Sequence, residues 1–131
     1  MNPEFIINEE LGKLISNVVK KFPSDKKRSA VIESLLILQH HNNGYVTKNI
    51  IKALSDYLLV SEIDIYEVAT FYTMINIDPV GRNVISVCNN ISCMLRGSDE
   101  ILSHIEDKLK IKVGESTKDN KFYLKDEIEC L

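Results

Sequence analysis

The hydrophobic pattern of the chain changes character between Asn76 and Gly81. Before this point, apolar residues recur at the three- and four-residue spacing of amphipathic helices. After it, the β-branched run VISVC at residues 84–88 predicts a strand. We therefore expect an α+β chain, with a helical N-terminal domain at residues 1–78 and an α/β domain at residues 79–131.

Four helices are predicted in the first domain. Asn8, Thr47 and Ser61 are residue types that cap helices, and each stands directly before an apolar periodic segment. The second helix is expected to end near Gly44, because glycine readily takes the left-handed conformation that closes a helix. The fourth helix is expected to run through YEVATFYTM at residues 66–74, with its aromatic side chains in the core.

The second domain is predicted as strand, helix, strand. The strand at residues 84–88 leads into a loop carrying Cys93, and Ser98 is expected to cap the following helix. The segment KFYLKDEIECL at residues 121–131 predicts a second strand running toward Cys130. This order leaves an open sheet edge and an uncovered apolar face.

Composition excludes several classes of function. The 131 residues carry a net charge of −3, with no basic excess for nucleic-acid binding. The N-terminus lacks the basic and apolar regions of a signal peptide, and no apolar stretch approaches the length needed to span a bilayer. We expect a cytosolic protein without direct membrane insertion. Three cysteines are an odd number, so a disulfide framework is not expected.

The cysteines form the candidate site. Cys88 and Cys93 are separated by four residues, close enough to converge on one metal centre without a large entropy of loop closure. The alternatives are a buried thiol in a strand, a zinc site closed by Cys130 or a histidine, and an iron–sulfur cluster. The plant-type ferredoxin spacing is not present, because it needs a further two-residue gap. Spacing alone leaves these alternatives open.

Three segments carry a resemblance to a known family. YEVATFYTM (66–74), PVGRNVISVCNNISCMLRG (79–97) and the final EIECL (127–131) resemble the thioredoxin-like 2Fe–2S subunit of respiratory NADH:quinone oxidoreductase, complex I. That subunit is the small partner of the flavoprotein subunit that binds NADH and FMN. The run KRSAVIESLLILQHHNNGYV (27–46) is similar to the N-terminal helices of the family.

The resemblance implies an electron-transfer subunit whose 2Fe–2S cluster exchanges one electron with FMN on the partner. It implies the flavoprotein subunit and the large iron–sulfur subunit as partners. It also implies a location peripheral to the inner membrane, through the hydrophilic arm of complex I on the cytoplasmic side, or on the matrix side in an organelle. NADH and FMN would bind the partner, so this chain would hold no complete active site. Alternatives are a cluster-free docking module for the flavoprotein subunit, or the equivalent subunit of an NAD-linked hydrogenase or formate dehydrogenase.

The resemblance also implies the ligand set. The family uses two cysteine pairs, to which Cys88 and Cys93 correspond as the first pair and Cys130 as the third ligand. The fourth ligand would fall beyond Leu131, so we expect an N-terminal fragment that lacks both that cysteine and the rest of the thioredoxin-like sheet. A serine, a histidine, an exogenous thiol or another chain would have to take the fourth position.

Overall fold

The computed structural model describes residues 5–128, so the predicted ligand Cys130 lies outside the described residues. The chain divides into two compact units, unit 1 at Met1–Pro79 and unit 2 at Val80–Leu131. Unit 1 is helical, and unit 2 combines helices with a pair of parallel strands. The α+β class predicted from the sequence is therefore confirmed.

Unit 1 is built from α-helices of similar length around one apolar core. Its helices are α1 (Glu9–Val19), α2 (Val31–His41), α3 (Lys48–Leu58) and α4 (Glu62–Phe71), and a 3-10 helix at Lys27–Ala30 leads into α2. The fully buried side chains of the core come from all four: Ile15, Leu35, Leu38, Ile50, Leu54 and Ile65. None of the helices among residues 5–128 is long and apolar enough to cross a membrane.

The three capping residues predicted in unit 1 are confirmed. Asn8, Thr47 and Ser61 each accept a hydrogen bond from the backbone N–H three residues later, at 2.9, 3.3 and 3.3 Å. Each bond satisfies a donor that the first turn of a helix would otherwise leave without a partner. Gly44 takes the predicted left-handed conformation after α2, with φ of 90°.

The prediction for α4 was wrong in its last turn. The helix ends at Phe71 instead of continuing to Met74. The Gln39 side chain holds the following segment, because its Nε2 donates to the Met74 carbonyl (3.0 Å) and its Oε1 accepts from the Asn76 N–H (2.7 Å). Tertiary hydrogen bonds from α2 therefore replace the helical ones.

Unit 2 is a strand–helix–strand unit with a short extra helix. Its elements are β1 (Asn83–Cys88), α5 (Ile91–Leu95), α6 (Ser98–Leu109) and β2 (Phe122–Glu127). β1 and β2 pair in parallel, and the far side of β2 bonds to the segment before it, where the Leu124 N–H donates to the Glu115 carbonyl at 3.1 Å. Leu124 is fully buried and Ile111 nearly so.

Two expectations for unit 2 were wrong in detail. Cys93 lies in the short helix α5 and not in a loop, because Asn90 caps α5 by accepting from the Ile91 N–H at 2.7 Å. Ser98 is the first residue of α6 and not its cap. The cap position is Gly97, whose left-handed φ of 95° turns the chain sharply between α5 and α6.

Candidate metal centre

The parallel register places the carboxyl ends of β1 and β2 at one edge of the sheet. The last residues of the two strands, Cys88 and Glu127, are Cα partners. Neighbouring strands are about 4.8 Å apart, so the chain leaves β2 beside the residue that carries the first predicted thiolate. Cys88 itself is half-buried and takes part in no disulfide.

Two asparagines tie the segment after Cys88 to the end of β2. The Asn89 N–H donates to the Glu127 carbonyl at 2.9 Å, and its Nδ2 donates to Asp126 Oδ2 at 2.8 Å. Asn90 Nδ2 donates to the Ile128 carbonyl at 2.9 Å. The side chains of Asn89 and Asn90 therefore hold the two chain segments together beyond the last rung of the ladder.

Cys93 is presented from α5, immediately after this anchored segment. It is half-buried and takes part in no disulfide. The Arg96 N–H donates to the Cys93 carbonyl at 3.0 Å, which closes the helix before the turn at Gly97. With Asn89 and Asn90 between them in the loop, Cys88 and Cys93 are brought to the same end of unit 2.

Two buried polar atoms near this end have no hydrogen-bond partner within residues 5–128. They are Asn89 Oδ1, between the two cysteines in sequence, and Ser98 Oγ, which follows Cys93 at the start of α6. A buried polar atom without a partner costs about 1–3 kcal/mol. Each buried polar atom without a partner therefore needs a specific explanation, and a redox or catalytic role of the site is one such explanation.

A zinc site closed by a histidine has no support from the described part of the chain, and one closed by Cys130 involves a residue outside it. No group of three or more histidine, cysteine or acidic side chains converges there in a metal-binding arrangement. His40 and His41 end α2, and their rings contact each other edge to face with centroids 5.8 Å apart. His104 is exposed on α6.

Asn89 and Asn90 were not among the residues predicted for the site. A pair of asparagines directly after a strand is a signal for a turn or a helix cap, and this signal was available in the sequence. Their partners at the end of β2 lie 37 and 38 positions away. The parallel register had to be known before those partners were evident.

Residues 15–131 match the family described as thioredoxin-like 2Fe–2S ferredoxin. The chain belongs to the thioredoxin-like 2Fe–2S ferredoxin family. The resemblance drawn from the three sequence segments is thereby confirmed. The cofactor of the family is a 2Fe–2S cluster.

Curated relatives of this ferredoxin-family chain are named as parts of one enzyme complex. An NADH-quinone oxidoreductase subunit from Rickettsia prowazekii is 42% identical over 130 residues, which is 99% of this chain and 73% of the relative. The protein of the same name from Rickettsia bellii is 46% identical over 118 residues, 90% of this chain and 70% of the relative. The mitochondrial NADH dehydrogenase [ubiquinone] flavoprotein 2 of Dictyostelium discoideum is 38% identical over 117 residues, 89% of this chain and 47% of the relative.

The described residues of this ferredoxin-family chain fit one half of a 2Fe–2S site. Each iron of an all-cysteine cluster takes two thiolates. Cys88 and Cys93 lie at one end of unit 2, and neither is part of a disulfide within residues 5–128. The buried hydroxyl of Ser98 adds a donor for which no acceptor is described. The sequence contains three cysteines in all, one fewer than the four thiolates of such a cluster.

Proposed function

We propose that this chain is an electron-transfer subunit of the NADH-oxidising module of NADH:quinone oxidoreductase. Cys88, Cys93 and Cys130 ligate its 2Fe–2S cluster, which when bound exchanges one electron at a time with FMN on the flavoprotein partner. The observation that supports this most is the pairing of Cys88 with Glu127 at the carboxyl edge of the sheet. The names and identities of the relatives support membership of the complex.

The parallel register supports Cys130 as a ligand through the length of chain that leads to it. Cys130 lies three positions after Glu127, a reach of at most about 11 Å at about 3.6 Å per residue. Glu127 is already the Cα partner of Cys88. An antiparallel pair would instead direct this segment away from Cys88. The hydrogen bonds of Asn89 and Asn90 keep the two strand ends together.

The fourth ligand position is open in this proposal, because the 131 residues contain three cysteines. We expect a thiolate from outside these residues to take it. This gives a direct test, since a small thiol added in solution should then increase the amount of cluster that assembles.

The experiment is anaerobic reconstitution of the chain with iron and sulfide, with and without added glutathione. About two irons and two sulfides per chain, with the visible and EPR spectra of a 2Fe–2S cluster, are expected. Cys88→Ala, Cys93→Ala and Cys130→Ala should each lose the cluster. Ser92→Ala, which changes an exposed residue of α5, is the matched control and should retain it. Colourless protein under all conditions would refute cluster binding.

The partners and location follow from the same proposal. The flavoprotein subunit and the large iron–sulfur subunit of the complex are the binding partners. The complex holds the chain at the inner membrane through its hydrophilic arm, on the cytoplasmic side, or on the matrix side in an organelle. Co-purification of a tagged chain with both subunits from membranes tests this, and an NAD-linked hydrogenase or formate dehydrogenase in their place would assign the chain to that assembly.

A second candidate function is docking without a cluster, and two exposed aromatic side chains of α4 favour it. Val68 and Tyr72 pack against the core as predicted. Tyr66 and Phe71, expected in the core, are instead 47% and 79% exposed. Large exposed aromatic side chains are common anchors of protein interfaces. Phe71→Ala should therefore weaken binding to the flavoprotein subunit at least about tenfold, while Cys88→Ala should leave binding unchanged if docking is the sole function.

A further inference from the structure

Lys125 and Glu127 form an ion pair that is withdrawn from solvent on β2. Lys125 Nζ lies 2.6 Å from Glu127 Oε1, and the two side chains are only 17% and 20% exposed. Every other ion pair described within residues 5–128 has at least one side chain more than half exposed. Exposed pairs contribute little energy, whereas charges removed from water interact strongly with neighbouring charges.

The strand register places this pair on the same face of the sheet as Cys88. Lys125 is the Cα partner of Ser86, and Glu127 is the Cα partner of Cys88. Paired residues of neighbouring strands point to the same face, and residues two apart on one strand share a face. Glu127 is therefore the charged neighbour of Cys88, and Lys125 lies about 6.6 Å further back along the strand.

The ion pair and the buried Leu124 lie on opposite faces of β2, so the pair is not part of the apolar core of unit 2. Leu124 alternates with Lys125 and is fully buried. Asp126, on the face of Leu124, is exposed and accepts the Asn89 hydrogen bond described above. Lys125 and Glu127 thus form a separate charged group on the Cys88 face.

We propose that Lys125 and Glu127 shift the reduction potential of the cluster that Cys88 ligates, in opposite directions. This inference rests on the proposed function and adds two positioning residues that act on the cluster through the electric field at Cys88. Reduction adds one negative charge at the site. The Lys125 ammonium stabilises that charge, and the nearer Glu127 carboxylate opposes it.

The two charges therefore predict shifts of opposite sign. Lys125→Met removes the cation and lowers the reduction potential. Glu127→Gln removes the anion while keeping the size of the side chain, and it raises the potential. A unit charge about 10 Å from any redox centre, at an effective dielectric constant of about 20, changes the ratio of its reduced to oxidised forms roughly tenfold at a fixed potential, which is about 59 mV for one electron. The effect of Glu127 is the larger of the two, because it lies nearer Cys88. The potential of the double variant falls between those of the two single variants.

The experiment is an EPR-monitored redox titration of the reconstituted chain and these three variants. Lys112→Met is the matched control, because it removes a lysine of unit 2 whose side chain is 76% exposed and pairs with Glu106. Its potential should equal that of the wild type. Lys125→Arg, which keeps the charge, should also retain the wild-type potential.

The outcomes separate a field effect from a structural one. If the pair has only a structural role, both single variants melt at a lower temperature but keep the reduction potential of the control. That result would overturn the proposal. Shifts of the same sign in both single variants would overturn it as well.

If the wild-type chain assembles no cluster, the proposed function fails and this inference fails with it. A wild-type cluster whose potential ignores both charges refutes this inference alone. If Lys125→Met does not fold, Glu127→Gln still decides: a raised potential supports the inference, and an unchanged or lowered one overturns it.

Discussion

Cys88 and Glu127 are Cα partners on the last rung of the parallel strand pair. The strand that carries the first predicted thiolate therefore ends beside the strand that leads toward Cys130. Asn89 and Asn90 reinforce this arrangement with hydrogen bonds to Asp126 and Ile128. The proposed site and its electrostatic environment both depend on this single register.

The approach of Gly81 to β2 leaves no room for a side chain. A Cβ added at Gly81 would lie 2.5 Å from the backbone carbon of Phe122. Gly81→Ala should therefore push β2 away and destabilise unit 2 by at least about 1–3 kcal/mol. Amide hydrogen exchange of the β2 residues measures this directly.

Gly12→Ala is the control for that variant. A Cβ at Gly12 would make ordinary contact with Tyr57 Oη at 3.5 Å. Alanine in the middle of α1 should increase stability by about 0.5–1 kcal/mol, because glycine loses more backbone entropy on folding. Unchanged β2 exchange in Gly81→Ala would contradict the steric argument.

Ser34 is fully buried in α2, and its hydroxyl has no partner in the described part of the chain. Ser34→Ala removes a desolvated polar group at nearly constant volume and should stabilise the protein by about 1 kcal/mol. Ser55→Ala is the matched control of opposite sign, because the Ser55 hydroxyl donates to the Val60 carbonyl at 2.7 Å. Urea unfolding followed by circular dichroism compares them, and a loss of stability in Ser34→Ala would disprove the assignment.

Asn8 begins α1 through the hydrogen bond from the Leu11 N–H to its side chain, 2.9 Å long. Asn8→Ala should lower the free energy of unfolding by about 1 kcal/mol. Asn17, exposed within α1, makes a fair comparison because Asn17→Ala removes the same side chain without removing a cap. That variant should be neutral or slightly stabilising, since alanine favours the helix interior. Equal effects of the two substitutions would argue against capping.

Glu106 links the stability of unit 2 to pH. A hydrogen bond from Lys112 Nζ (3.1 Å), and then one from the Val113 N–H (3.2 Å), hold the pKa of the Glu106 carboxyl below its ordinary value. Because the folded-state pKa is the lower one, the stabilisation is fully present above the ordinary glutamate pKa of about 4.3. It is lost as the pH falls from there through the folded-state pKa.

Glu106→Gln should remove that part of the pH dependence. Urea unfolding of the wild type and the variant at several pH values on either side of about 4.3 should give curves that converge in acid. An NMR titration of the Glu106 carboxyl reports the lowered pKa itself. A midpoint at or above the ordinary glutamate value would rule the linkage out.

Several local features were predictable because their physics is local. Asn8, Thr47 and Ser61 cap helices through bonds to residues three positions away, so the short sequence window contains both partners. The β1 segment was evident from its β-branched run. By contrast, the helix around Cys93 was missed, because α5 is too short to show a hydrophobic period and depends on the cap at Asn90.

The sequence by itself determined the α+β class, the starts of α1, α3 and α4, the spacing of Cys88 and Cys93, and the family to which the chain belongs. Only the tertiary structure decided that Gln39 ends α4 early, that Cys88 pairs with Glu127, and that Lys125 and Glu127 are withdrawn from water together. The physical reason is distance along the chain. A cap or a turn is decided by residues within about four positions, whereas Gln39 with Asn76, and Cys88 with Glu127, join residues 37 and 39 positions apart whose meeting depends on how whole elements pack.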